Sequence, residues 1–156
     1  MNRPDLNTLS KEVFEAKGLV SMTDILLWLI QNNILVLHLN LTTQWYDMIE
    51  SGIKKEEYRA IKPFYNRMFC DNGTIKIKSK YYHPTDVIVC FSNGYAKDRR
   101  QMFWTLKTMR VSFGNPEWGA SKIDQYYTLY LNEKIVQPNT PDETWKELLK
   151  YPYRKY

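Results

Sequence analysis

Ile34-Leu35-Val36-Leu37-His38-Leu39-Asn40-Leu41, then Thr42-Thr43-Gln44-Trp45-Tyr46-Asp47-Met48-Ile49-Glu50-Ser51-Gly52, then Ile53-Lys54-Lys55-Glu56-Glu57-Tyr58-Arg59-Ala60-Ile61: these three consecutive blocks change period twice. The first alternates, with Leu35, Leu37, Leu39 and Leu41 on one face and Ile34, Val36 and His38 on the other, the two-residue period of a strand. The ordinary place for His38 there is half-buried and satisfied by its neighbours. In the second block Trp45, Met48 and Ile49 fall on one helical face, Thr42 or Thr43 caps its start, and Gly52 supplies the left-handed stop. The third block is extended again and crowded with charge. Strand, short helix and charged strand in that order are the frame on which the rest of the chain is placed.

Upstream, the chain reads helical. Ser10 caps a segment that runs to Lys17 and stops at Gly18. Ser21-Met22-Thr23-Asp24 starts a second helix with Met22, Ile25, Leu26, Leu29 and Ile30 on one face, closed by Asn32-Asn33. These helices suit either an addition packed on the main domain or a dimer contact. Downstream, Pro63 leads a turn of helix through Phe69, and Asp71-Asn72-Gly73 is a turn signal. Thr74 to Lys80 alternates and predicts one strand, with Lys76, Lys78 and Lys80 roughly 7 Å apart on one face. That stripe suits phosphate contact and equally suits an edge strand kept soluble by lysine.

Asp86 to Phe91 and Gln101 to Phe113 read as strands joined by a turn that carries Lys97, Arg99 and Arg100. The longer one is apolar on both faces, with Phe103, Met109 and Val111 against Met102, Trp104 and Leu106, as in a covered or closed sheet. Tyr126 to Ile135 is the last strand, with Tyr127, Leu129 and Leu131 inward. Thr140-Pro141-Asp142-Glu143 opens a C-terminal helix whose buried face is Trp145, Leu148 and Leu149. About five to six strands with helices inserted after the first describe an α+β chain built on a small mixed β-barrel. The expected organisation is a helical extension over residues 1–33, the barrel over 34–136, and a helix and tail over 137–156.

Composition narrows the function classes. The chain has 156 residues, which favours one domain, and its net charge of +5 is compatible with an anionic partner. Aromatic residues make up 15%, enough to fill a β-rich core and still leave flat faces for bases. Two cysteines, Cys70 and Cys90, form no dense disulfide framework, so a reducing, cytoplasmic compartment is the default. Two histidines without CxxC or HxxxH argue against a structural zinc site, and no metal or cofactor is expected. The start is not a signal peptide, and polar residues interrupt the apolar run Ile25 to Leu41, which argues against a membrane span.

The chemistry gathers at Ser51 to Arg59. Alternation puts Lys55, Glu57 and Arg59 on one side, while Lys54 projects from the turn. Opposed charges held at both ends are expected to pair, with Glu57 orienting Arg59 or Lys54; a solvated charge run is the competing reading.

This segment resembles the signature of the ASCH family, Gly-x-Lys-x-x-Glu-x-Arg after the first helix, matched at Gly52, Lys54, Glu57 and Arg59. Leu39-Asn40-Leu41 to Ile49, Ile61-Lys62-Pro63-Phe64-Tyr65, Asn93-Gly94-Tyr95 and Gly114-Asn115-Pro116-Glu117-Trp118-Gly119 are similar to a subgroup common in phage and bacterial genomes. The resemblance covers roughly Ile34 to Ile135. It implies a PUA-like barrel whose motif-lined cleft binds RNA or a nucleotide, with Arg59 and Lys54 on phosphate or a base edge. Tyr58 or Trp118 would stack on a base, and Lys76, Lys78 and Lys80 would guide the backbone. Some members are RNA-cleaving nucleases, and a compact group resembles amidohydrolases acting on N-acetylcytidine through a lysine, a threonine and a glutamate. Here Lys54 stands at the lysine position and Glu57 at the threonine position, a carboxylate in place of a neutral hydroxyl; Glu117 is the candidate third group. A third expectation is a protein-interaction module built on the terminal helices.

Overall fold

The structure is a computed structural model and describes residues 4–96 and 98–138. The expected helix from Thr140, with Trp145, Leu148 and Leu149, lies outside the described residues, as does Lys97. Two short helices come first, α1 (Lys11–Ala16) and α2 (Met22–Gln31). Ser10 and Ser21 cap them through hydroxyls that accept from Val13 N and Asp24 N. They are followed by β1 (Leu35–Leu41), α3 (Thr43–Glu50), β2 (Glu56–Ala60) and α4 (Pro63–Asn66). The hairpin β3 (Ile75–Ile77) and β4 (Lys80–Tyr82) precedes β5 (Val87–Asn93), β6 (Gln101–Phe113) and β7 (Gln125–Val136).

Five strands form one curled, half-barrel sheet in the order β1-β5-β6-β7-β2. β1 and β5 run parallel, and every other neighbour pair is antiparallel. The mixed α+β class is therefore as expected, with five strands in the sheet and two more in a separate hairpin. Both faces are covered. On one, Leu37, Leu39, Leu41, Val89, Phe91, Trp104, Met109, Leu129 and Leu131 pack against Tyr46 and Ile49 of α3 and against Met68, Phe69, Ile75 and Ile77. On the other, Val36, Ile88, Cys90, Phe103 and Ile135 meet Phe14, Met22, Ile25, Leu26 and Leu29. His38 is 6% exposed, so it belongs to the sheet's buried interior. Cys90 is wholly buried, which pushes its thiol up to about 12. Cys70 and Cys90 are free thiols.

Four local expectations are corrected. Thr74 to Lys80 is not one strand: Lys78 and Ser79 take positive φ (49° and 70°) and make the two-residue turn of the β3–β4 hairpin. Lys76 thus sits on β3, Lys78 in the turn and Lys80 on β4, and the three do not form a linear stripe. On β6, Met109 joins the core face of Met102, Trp104 and Leu106 instead of that of Phe103, because register shifts near Leu106 reverse the alternation. Tyr46, fully buried, is the largest apolar group α3 contributes, ahead of the half-buried Met48. Lys55 is exposed and lies before the first paired residue of β2, so it does not share a face with Glu57 and Arg59.

Among the described residues no helix is long and apolar enough to cross a membrane.

Candidate functional site

The local fold explains how a lysine comes to be buried beside a turn. Gly52, at φ 83°, ends α3 in the left-handed region, and its N–H donates to Ile49 O. Lys54 N–H then donates to Met48 O at 2.9 Å, which fixes the backbone of the turn and directs the Lys54 side chain inward. Only 2% of Lys54 remains exposed. Along β2, Glu57 stands opposite Leu129 and Arg59 opposite Tyr127, so both carry their charge onto the core face.

These three side chains meet. The Lys54 ammonium donates to Glu57 Oε1, and Arg59 Nη2 donates to Glu57 Oε2 at 2.7 Å. One buried carboxylate therefore serves two cations, the arrangement that makes burial of charge tolerable. The Lys54 ammonium also lies 5.3 Å from the Trp45 ring centroid and 5.2 Å from that of Tyr58. Arg59 donates through Nη2 to Asn40 O at 2.8 Å and through Nη1 to the Tyr65 hydroxyl at 3.1 Å. Burial pulls the guanidinium pKa down, but the Glu57 charge and Tyr65 more than offset it, so the net direction is upward.

β1 and β2 are the two end strands of the open sheet, and the Arg59–Asn40 bond joins them. An unpaired edge carbonyl of β1 is thus capped by a side chain from the opposite edge, which closes the seam of the half-barrel. Beside this seam a cleft of about 560 Å³ opens, lined by Asn40, Leu41, Thr42, Thr43, Asn93 and Tyr95. Asn93 Nδ2 donates to Leu41 O and Thr43 Oγ1, Arg100 donates to Asn93 Oδ1 at 3.0 Å, and the Tyr95 ring is 72% exposed. Asn40 Oδ1 is buried without a hydrogen-bond donor among the described residues.

The loop after β6 roofs the lysine. The Tyr58 hydroxyl accepts from Asn115 N–H at 2.9 Å and donates to Glu56 Oε1 at 2.8 Å. Burial raises the Tyr58 pKa, so the hydroxyl stays protonated at neutral pH. A Cβ on Gly114 would stand 2.5 Å from Ala120 Cβ and 2.8 Å from the Tyr58 ring; one on Gly119 would stand 2.9 Å from Trp45. Both glycines let the loop close on the two rings that flank Lys54.

Lys54, Glu57 and Arg59 are therefore brought together as expected from their spacing, but they lie behind the wall of the cleft and not on its floor. Tyr58 is committed to the loop. Glu117 is exposed on a single 3₁₀ turn (Pro116–Trp118), and Trp118 is half-buried beside it. Lys76 is half-buried with its ammonium over the Tyr81 ring, and Lys78 and Lys80 are exposed on the hairpin. The residues missed in sequence are Asn40, Trp45, Tyr65 and Asn115, whose partners lie 19, 9, 6 and 57 positions away in the chain for the contacts described. Asn40 carried a signal, a polar residue inside an apolar strand. Among the described residues no cluster of His, Cys, Asp or Glu stands ready to hold a metal ion. No family model matches the sequence, and no curated protein or solved structure matches the chain.

Proposed function

We propose that this chain is an RNA- or nucleotide-binding domain of the ASCH type on a PUA-like barrel, working in the cytoplasm. The observation that carries the reading is the seam itself: Arg59, backed by Glu57 and Lys54, closes the sheet on Asn40 beside a cleft with an exposed tyrosine. The cleft offers what single-stranded nucleic acid needs, an aromatic face at Tyr95 and polar groups at Thr42, Thr43 and Asn93. A net charge of +5 adds long-range attraction for phosphate. Stacking of one base on Tyr95 is worth about 1–3 kcal/mol, more than any single exposed lysine on the rim. The Gly52, Lys54, Glu57 and Arg59 pattern and the Asn93-Gly94-Tyr95 segment, both quoted for the family resemblance, flank this one region. Free thiols at Cys70 and Cys90 fit a reducing compartment.

The hydrolase reading ranks below. A lysine acting as base or nucleophile needs its neutral amine and an approach for substrate. Lys54 is ion-paired to Glu57, enclosed by two rings and almost without exposure. The interaction-module reading also loses ground, because α1 and α2 already bury their apolar faces on the sheet.

Titration of a fluorescent single-stranded RNA at two ionic strengths tests the reading. Affinity is expected to fall steeply with salt, since each neutralised phosphate releases counterions, and Tyr95→Ala is expected to weaken binding about ten-fold or more. Equal affinity at both salts, or no binding, would remove it.

A further inference from the structure

A second cavity, on the far side of the turn that carries Lys54, has the makings of an anion site. It encloses about 230 Å³ and is lined by Gly52, Lys54, Lys55, Trp104, Lys107 and Asn132, with Leu131 completing the wall. Among the described residues this wall carries three lysines and no carboxylate. The Lys54 ammonium is engaged by Glu57, which leaves Lys55 and Lys107, both exposed, as the cations at the opening.

Two irregularities of the sheet build the wall. Leu106 pairs with Leu131 and Thr108 with Tyr130, so Lys107 is the extra residue of a bulge on β6. Trp104 pairs with Lys134 and Leu106 with Leu131, so β7 has an extra residue in the stretch containing Asn132 and Glu133. A bulge leaves its added residue out of the ladder and re-aims the side chain, and here both bulges border the same cavity. The β7 bulge is clamped by buried Thr105, whose hydroxyl accepts from Glu133 N–H at 3.2 Å. The irregular backbone is therefore held in place.

The independent observation is Trp104. It is 8% exposed, stands on the cavity wall, and its indole N–H is buried with no acceptor among the described residues. A buried donor left without an acceptor is costly and rare, and an acceptor-only ligand in the adjoining space would satisfy it. An indole donor, an amide side chain at Asn132 and two lysines match an oxyanion, which offers several acceptors and negative charge.

We propose that this cavity binds a phosphate-type oxyanion, taken either as free phosphate or as the phosphate group of a nucleotide. The inference does not rest on the cleft reading, since it concerns a different wall of the protein. Its test is the indole ¹H–¹⁵N resonance of Trp104 in the full chain, picked out from the 5 tryptophans with Trp104→Phe. Inorganic phosphate is expected to shift that resonance to saturation, whereas chloride at matched ionic strength leaves it in place. Uridine 5′-monophosphate is expected to reproduce the shift and uridine to lack it; tighter binding of the monophosphate than of phosphate identifies a nucleotide as the source, and equal binding identifies phosphate itself. Lys55→Ala with Lys107→Ala, both surface changes, is expected to weaken phosphate about ten-fold. A Trp104 resonance that ignores phosphate, responds equally to chloride, or titrates unchanged in the double variant overturns the proposal. Loss of RNA binding in the cleft with the phosphate response intact removes only the cleft reading.

Discussion

Glu57→Gln is expected to lower stability by about 3–5 kcal/mol, the usual result of removing one partner from a buried ionic set. Glu57 is the only carboxylate in contact with Lys54 and Arg59 in the described ion pairs, and Lys54 is 2% exposed. An amide in its place leaves a buried ammonium and a mostly buried guanidinium with no compensating charge. Arg59 would keep Asn40 O and the Tyr65 hydroxyl, but the Lys54 ammonium would keep only the two rings. Lys54→Met is expected to cost less, because it removes the ammonium and leaves Glu57 paired with Arg59. Urea denaturation followed by tryptophan fluorescence measures both, and thermal melting should show a drop of about 10 °C for Glu57→Gln. A change within about 0.5 kcal/mol, as for ordinary surface sites, would mean the carboxylate is not the keystone described here.

The second large effect concerns the first thirty-odd residues. Removing the segment before Ile34 would uncover Ile34, Val36, Ile88, Cys90, Phe103 and Ile135 on the outer face of the sheet. It would also withdraw Leu6, Leu9, Phe14, Met22, Ile25, Leu26 and Leu29, all 5% exposed or less. At about 1.5–3 kcal/mol for each large apolar side chain, the loss exceeds the whole stability of an ordinary domain. The truncated chain is expected to be insoluble, or to bind a hydrophobic dye and lack dispersed amide resonances. A soluble, cooperatively melting fragment starting at Ile34 would contradict this and make the helices a true appendage.

Much of this architecture was legible as pattern. The alternation of Ile34 to Leu41, the capping serines Ser10 and Ser21 and the stop at Gly52 are local rules, and each appears where local chemistry puts it. The covered sheet was legible from the two apolar faces of β6. Lys78-Ser79 was not, because a two-residue turn in left-handed backbone usually announces itself with Asn or Gly, and here lysine and serine occupy it. The parity of Met109 was equally hidden, since a bulge is a property of two strands together. The pairing of Glu57 with Lys54 and Arg59 follows from spacing, whereas the seam to Asn40 depends on strand order, which no window of sequence contains. The depth of the site was misjudged for the same reason: the loop from Gly114 to Ala120 folds back onto Tyr58 and Trp45 from more than fifty residues downstream.

The most direct measurement is the side-chain ammonium spectrum of the protein labelled with ¹⁵N-lysine. The account predicts one slowly exchanging ammonium, shifted by the Trp45 and Tyr58 rings, absent in Lys54→Met and released to fast exchange in Glu57→Gln. A spectrum in which every lysine exchanges like a surface group would contradict it, and with it the buried cationic wall on which the binding proposal stands.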